Sequence, residues 1–455
     1  LKKAWIIALG LMLVVALAAC GGGNGGNSDN GGNGGTGGTS ASGGAGGGNG
    51  GGSNSGDGGS GEPIVLTFWT LGNNNYEELA EEWNKANPNI QVTIQNTGDQ
   101  TEHHNRLLTA LSANSGAPDL FHLEIAFVDR FLEHEDKFHN LLDLGAGDLK
   151  DMYLDWKWKQ VSNADGTFLM GLPTDIGPTA VFYRPDLAEA AGLPTDPDAF
   201  SEAISTWDKF VQVARDYTAK TGKPFVDLTD LMFNALRDQS DGEIYFSRAD
   251  GSLIIESNAQ VKKAFDITVQ GIQEGWISKS ELWSAEWYND MNTDGFVVSL
   301  SPAWMVGVFK GNAPDTAGKW RIAQMPEGAG NWGGAFVTLP KEGKHPKEAF
   351  QFASWLLNKE QQLKSFQVGG MFPSIPELYS HPDFTSYKDD YFGGQATGVA
   401  FGKAAERVKP MYYGPLHDTA DGHVKKALRN VLELKADPET EWKNAVDEIK
   451  KLAAR

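Results

Sequence analysis

Cysteine is almost absent from this chain. One residue in 455, Cys20, carries a thiol, so no disulfide can form within the chain. Basic residues are outnumbered, with 39 Lys and Arg against 59 Asp and Glu and a net charge of −20. Phosphate backbones and anionic membranes are held by basic surface, so this balance argues against a nucleic-acid partner and a polybasic membrane patch. Long apolar runs are missing except for Ala4 to Ala19, an uncharged stretch of 16 residues that is short for a spanning helix. The sequence carries no serine elbow, no cysteine-nucleophile motif and no metal-ligand spacing, so neither a cofactor nor a metal is expected. His134-Glu135-Asp136-Lys137-Phe138-His139 comes near the His-Glu-x-x-His pattern, but its second His falls at i+5, which turns the two rings to different helix faces. His103, His104, His122, His134 and His139 are therefore read as helix-surface histidines.

What is present begins with an export signal. Lys2 and Lys3 precede the apolar run, which ends in Leu17-Ala18-Ala19-Cys20. Residues 1–19 read as a signal peptide, and the final four residues resemble the lipobox of bacterial lipoproteins, in which Cys20 would take the lipid. Removing 1–19 takes the charge from −20 to −22. Residues 20–61 then read as the lipidated Cys and a linker, since Gly supplies 23 of the 41 residues from 21 to 61. Such a composition cannot bury enough apolar surface to fold. As a flexible coil it would average roughly 35 Å end to end.

The remaining chain is too long for one core, so two lobes are expected. Ile64 to Thr70 is a β-branched and aromatic run and reads as a strand. Asn73 to Asn87 places Tyr76, Leu79, Ala80 and Trp83 on one helical face, and Ile90 to Ile94 is a second strand. Thr101 to Ala113 is the next helix, followed by a third strand that ends near Glu124. Thr179 to Tyr183 is a strand bracketed by Pro178 and Pro185. Asp186 to Ala191 is a short helix with Gly192 as its C-cap, and Thr206 caps a helix from Trp207 to Ala219. Asn258 to Gln273 and Pro438 to Ala454 carry apolar stripes at helical spacing.

Several of these stretches resemble bacterial extracellular solute-binding proteins, the receptors of ABC sugar importers. The resemblance rests on Gly171-Leu-Pro-Thr-Asp-Ile-Gly-Pro-Thr-Ala-Val-Phe-Tyr-Arg-Pro-Asp186, on Ala191-Gly-Leu-Pro194 with Thr206-Trp-Asp-Lys-Phe210, on Gly116-Ala-Pro-Asp119 and on Asn331-Trp-Gly-Gly-Ala335. It extends over about residues 62–455. It implies an α/β, two-lobed periplasmic-binding-protein-like fold with discontinuous lobes and a hinge. The N-terminal lobe would comprise 62–172 plus 307–342 and the C-terminal lobe 173–306 plus 343–455, with crossings near 173, 306 and 342. Ligand would bind between the lobes, and hinge closure would present the closed form to permease subunits. The implied molecule is a monomer, lipid-anchored through Cys20 at the extracellular face of the cell membrane. The Gly-rich tether points to a Gram-positive host.

The 14 Trp suit a carbohydrate, with an oligosaccharide preferred, because sugar C–H faces stack on aromatic rings while hydroxyls need carboxylates and amides. The resemblance implies Trp69, Asn74, Glu124, Asp175, Trp287, Trp304, Trp332, Gly333 and Gly334 as ligand-binding residues, and no catalytic residue. Four of them have a plainer reading: Trp69 and Trp332 as core, Glu124 as a helix cap, Asp175 as a turn acid. Two other functions stay open. A secreted carbohydrate hydrolase would need two carboxylates about 5–10 Å apart, for which Glu124 and Asp175 are available. A receptor for a non-sugar solute would want several converging acids, or Tyr and His ligands for iron.

Overall fold

Ile64–Thr70 forms β1, as its β-branched and aromatic residues favour. A computed structural model describes residues 62–72 and 74–454. The segments read as signal peptide (1–19) and as Cys20 with its linker (20–61) lie outside the described residues, as does Asn73. β1 pairs in parallel with β2 (Ile90–Asn96) and β3 (Leu120–Glu124). Parallel pairs need crossovers, and helices Tyr76–Ala86 and Gln100–Ala113 supply them. Asp99 caps the second helix, its carboxylate accepting from the Glu102 N–H at 2.7 Å. β9 (Ala335–Thr338) and β4 (Gly171–Pro173) complete a five-stranded sheet in the order β2-β1-β3-β9-β4. β9 runs antiparallel to both of its neighbours.

A second sheet is built on β6 (Thr179–Tyr183), buried along its whole length. It is flanked by β7 (Val298–Pro302) and β8 (Arg321–Ala323), both antiparallel. Helix Pro185–Ala191 ends at Gly192 with φ 84°, and helix Trp207–Thr221 starts at Thr206, whose hydroxyl accepts from the Lys209 N–H. Helices Ala259–Glu274, His417–Leu434 and Pro438–Ala453 pack together beside this sheet, with Phe265 against Trp442 at 5.0 Å. The fold is α/β with two lobes.

Three extended segments run side by side between the sheets. β5 (Asp175–Ile176) links β4 to β6 and pairs with β10 (Phe372–Pro373). Asn331 to Gly334 leads into β9 and bonds to the first segment: Trp332 N–H donates to Gly177 O at 2.9 Å, and Gly177 N–H donates to Asn331 Oδ1 at 2.9 Å. The crossings expected near 306 and 342 do not fit the strand pairing. β7 and β8 both pair with β6, so the chain stays with the second sheet past 306 and leaves it at 331–334. Arg321–Ala323, expected in the first lobe, therefore belongs to the second sheet. Helix Pro346–Leu356, expected in the second lobe, packs on the first: Phe352 meets Trp83 at 5.5 Å and Phe68 at 6.2 Å. A three-residue apolar strand carries no mark of the sheet it will join.

Gly177 is the point of closest approach between crossings. A Cβ there would clash with the Trp332 carbonyl oxygen, far inside the sum of their van der Waals radii. Gly177→Ala is expected to lower stability by about 1–3 kcal/mol, the usual cost of overpacking, as read from urea unfolding followed by Trp fluorescence.

Candidate ligand-binding site

Glu124 is the last residue of β3, and Asp175 opens the first crossing. Open α/β sheets bind ligands beyond the carboxyl ends of their strands, which is where Glu124 stands. It is half-buried, and at the head of the turn Ile125–Phe127 its side chain makes no capping hydrogen bond. Asp175 is buried in a strand and not in a turn, and its Oδ1 accepts from Thr174 Oγ1 at 2.6 Å. Lys157, from helix Asp155–Gln160, completes the group. It is buried, its Nζ lies 4.1 Å from the Phe336 ring centroid, and it has no hydrogen-bond partner among the described residues.

Burial governs the electrostatics here. It pushes Glu124 up to about 8, helped by the Asp175 charge and opposed by Lys157. It pulls Lys157 down to about 8, against the attraction of Asp175 and Glu124. Asp175 is raised by burial, against the Thr174 hydroxyl and Lys157. The fold thus brings together two carboxyls and an amine from three separate parts of the chain.

Trp332 and Trp304 lie across the second crossing from this group. Both are half-buried, with ring centroids 5.1 Å apart, and Trp304 Nε1 donates to Trp332 O at 2.9 Å. Gly333 and Gly334, with φ of 88° and 90°, separate the aromatic and charged halves. A Cβ on Gly333 would sit 2.6 Å from Trp304 Nε1. One on Gly334 would sit 2.6 Å from Asp175 O and 3.0 Å from Lys157 Nζ. Glycine at both positions lets the backbone pass between the two halves.

Three expected contacts are placed differently. Trp287 is fully buried, with Nε1 donating to Asp227 Oδ2 at 3.2 Å, so no ring face is open. It shares the inner face of helix Ala285–Asn292 with Met291, an i,i+4 pair that was a readable core signal. Trp69 is also buried, its ring covered by the Arg106 guanidinium at 3.6 Å, so its core reading is the one the fold adopts. Asn74 spends its amide on its own loop, donating to Leu71 O and accepting from the Tyr76 N–H.

Trp283, which sequence reasoning did not single out, extends the aromatic patch. It is 48% exposed and lies 6.2 Å from Trp304 with the ring planes 27° apart. Trp287 supports it edge-on from below at 5.7 Å.

The histidines differ from expectation as well. His103, His104 and His122 are buried, not on helix surfaces. His103 shares its stripe with Leu107, Ala110 and Leu111, a periodicity that marks its side as inward. His104 Nδ1 is 2.7 Å from Gln100 O and must donate to it, so Nε2 accepts from the Glu124 N–H at 3.2 Å. His103 Nε2 likewise donates to His122 O at 2.8 Å. Burial lowers His103 to about 4 and His122 to about 3, and lowers His104 too, so all three are neutral at pH 7. His134 is exposed and is separated from His139 by the short turn Glu135–Lys137. Among the described residues no group of three or more His, Cys, Asp or Glu could hold a metal ion.

A cavity of about 420 Å³ adjoins the site at Ile125 and Tyr413, with Asp129, Gln160, Arg248 and Tyr412 among its walls. That volume falls in the range of small-molecule pockets, about 300–1,000 Å³. Neither carboxyl nor any of the tryptophans lines it. Tyr413 connects the two regions, its hydroxyl donating to Asn331 O at 3.3 Å.

The charged group gives stability a definite pH dependence. Glu124 keeps its proton to about pH 8 when folded but loses it near 4.5 when unfolded. Its contribution is full below about pH 4.5 and is lost as the pH rises to about 8. Lys157 acts in the other direction, its contribution present above about pH 10.5 and lost as the pH falls to about 8. Glu124→Gln is expected to gain stability relative to the parent chain between about pH 5 and about pH 8. Urea unfolding at the two pH values measures it, and equal differences at both would contradict the assigned shift.

Comparison with known proteins places this geometry in a family. Residues 78–391 match the family model described as bacterial extracellular solute-binding protein. An arabinooligosaccharide-binding protein of Bacillus subtilis is 28% identical over 379 residues, 78% of this chain and 83% of its own length. A lactose-binding protein of Rhizobium radiobacter is 29% identical over 260 residues, 54% of this chain and 58% of that protein. A crystal structure of an extracellular solute-binding protein of family 1 superposes with a TM-score of 0.77 at 33% identity, covering 86% of this chain and all of that one. The ABC transporter-associated binding protein of B. animalis subsp. lactis, in complex with β-1,6-galactobiose, shares the fold with a TM-score of 0.75 at 21% identity, over 86% of this chain and 98% of that one. With a family model spanning more than half its length, the chain belongs to the bacterial extracellular solute-binding proteins.

Proposed function

We propose that this chain is the receptor of an ABC importer, that it captures a carbohydrate between its lobes, with an oligosaccharide preferred, and that it hands the sugar to permease subunits without turning it over. One observation carries the reading. The half-buried Trp332 and Trp304 stand across Gly333 and Gly334 from Glu124, Asp175 and Lys157. A sugar ring offers a C–H face to the aromatics and hydroxyls to the charged side, and both needs are met within a few residues. The ligands in the names of the relatives, arabinooligosaccharide and lactose, support the same class.

In this reading the three crossings, near 174–178, 331–334 and 372–374, act as the hinge. Closure is driven by contacts that the ligand makes with both halves only in the closed form. The receptor works as a monomer at the extracellular face of a Gram-positive membrane. Cys20 carries its lipid anchor, and the Gly-rich linker lets it reorient toward the permease.

A thermal-shift screen of mono- and oligosaccharides, with amino acids, peptides and polyamines as controls, tests this. A ligand at 100 times its dissociation constant adds about 2.7 kcal/mol. A shift with one glycan class, with that glycan recovered intact, is the expected outcome. A shift only from a control would keep the receptor and discard the carbohydrate. Trp332→Ala is expected to abolish the ligand-induced shift while the free protein melts within about 1 °C of the parent, roughly the change that a 1 kcal/mol loss produces in a folded body of this size. A large fall in the free protein's melting temperature would make Trp332 a core residue instead.

A further inference from the structure

Trp283 has a backbone and an exposure that the packing of the fold does not require. Four non-glycine residues in the described chain have positive φ: Asn114, Trp283, Glu327 and Lys435. Asn114 and Lys435 end helices in the usual left-handed cap. Glu327 accepts from the Trp207 N–H and pairs with Lys263. Trp283, at φ 67°, caps nothing, and a bulky side chain is disfavoured there. It is also the only aromatic among the exposed large hydrophobic side chains of the described residues.

The surroundings hold it still. Ser284 closes the preceding turn by donating to Glu281 O at 2.7 Å, and its hydroxyl accepts from the Trp287 N–H at 3.1 Å, starting the next helix. Trp287 is pinned below through Asp227, which also accepts from Ser299 Oγ at 2.6 Å. The strained residue thus follows a hydrogen-bonded turn, and its indole continues the Trp332–Trp304 patch to the surface.

We propose that Trp283 forms an outer subsite, and that the cleft takes linear glycans of at least three sugar units, the third resting on the Trp283 indole. This deepens the carbohydrate reading and rests on it. The centroids step 5.1 Å from Trp332 to Trp304, with planes 60° apart, and 6.2 Å from Trp304 to Trp283, with planes 27° apart, so Trp283 carries the patch one ring beyond the pair at the crossing. Because the outer end is open to solvent, longer chains are accepted without further gain.

Isothermal titration of the full chain with arabino-oligosaccharides and β-1,6-linked galacto-oligosaccharides, each from two to five units, tests the proposal. In the series that binds, affinity is expected to rise about three- to tenfold from two units to three, the scale of one aromatic contact, and then to level. Trp283→Ala should keep the two-unit affinity within about twofold and lose the three-unit gain, while Trp283→Phe keeps most of it. A gain that persists in Trp283→Ala, or an equal loss at two and three units, overturns the outer subsite and leaves the carbohydrate reading standing. No binding of either series to the parent chain overturns the outer subsite, and the carbohydrate reading then stands or falls on the thermal-shift screen.

Discussion

The contact between Trp332 and Gly177 is the constraint on which the site depends. The Trp332 carbonyl occupies the space a side chain would need at Gly177, its N–H donates to Gly177 O, and its oxygen takes the Trp304 indole N–H. Asn331 adds a second tie, accepting from the Gly177 N–H and donating to Gly333 O at 3.0 Å. Four residues, Asn331 to Gly334, therefore join two crossings, the aromatic patch and the charged group. A rotation within this segment would shift the tryptophans relative to the carboxyls.

The charged group comes at some cost to folding. Buried ions lower stability unless they are paired and fully hydrogen-bonded, and Lys157 has no hydrogen-bond partner among the described residues. Both ring nitrogens of His122 and the hydroxyls of Thr70 and Thr179 are likewise buried and unpaired among the described residues. Buried polar groups left without partners penalise the folded state, and a polar ligand or ordered water that reaches them relieves the penalty. Neutral His104 and His103 tie the main chain of β3 to the second helix, so the position of Glu124 does not rely on its own side chain.

Much of the fold was legible because it rests on local signals. The opening β-α-β-α-β run, the Thr206 cap, the Gly192 terminus and the buried strand Thr179–Tyr183 all formed where composition and periodicity put them. The site was legible in part. Glu124, Asp175, Trp304, Trp332 and the two glycines converge, since each sits beside a strand end or a crossing. Trp69, Asn74 and Trp287 do not join them, because a tryptophan's type does not say which face it shows, and an amide at a helix start satisfies its own loop first. Trp283 was missed since its exposure follows from an unusual φ that no neighbouring residue announces.

By itself the sequence determined the α/β class, most helix limits and the contrast between a Gly-rich stretch and a folded body, because propensity, capping and composition act over a few residues. The places of the second and third crossings, the meeting of Lys157 with two distant carboxyls and the inward turn of three histidines were decided only by the tertiary structure. Each depends on which strands pair across long separations, and pairing is chosen by the burial of whole faces, to which a short strand's own residues add little.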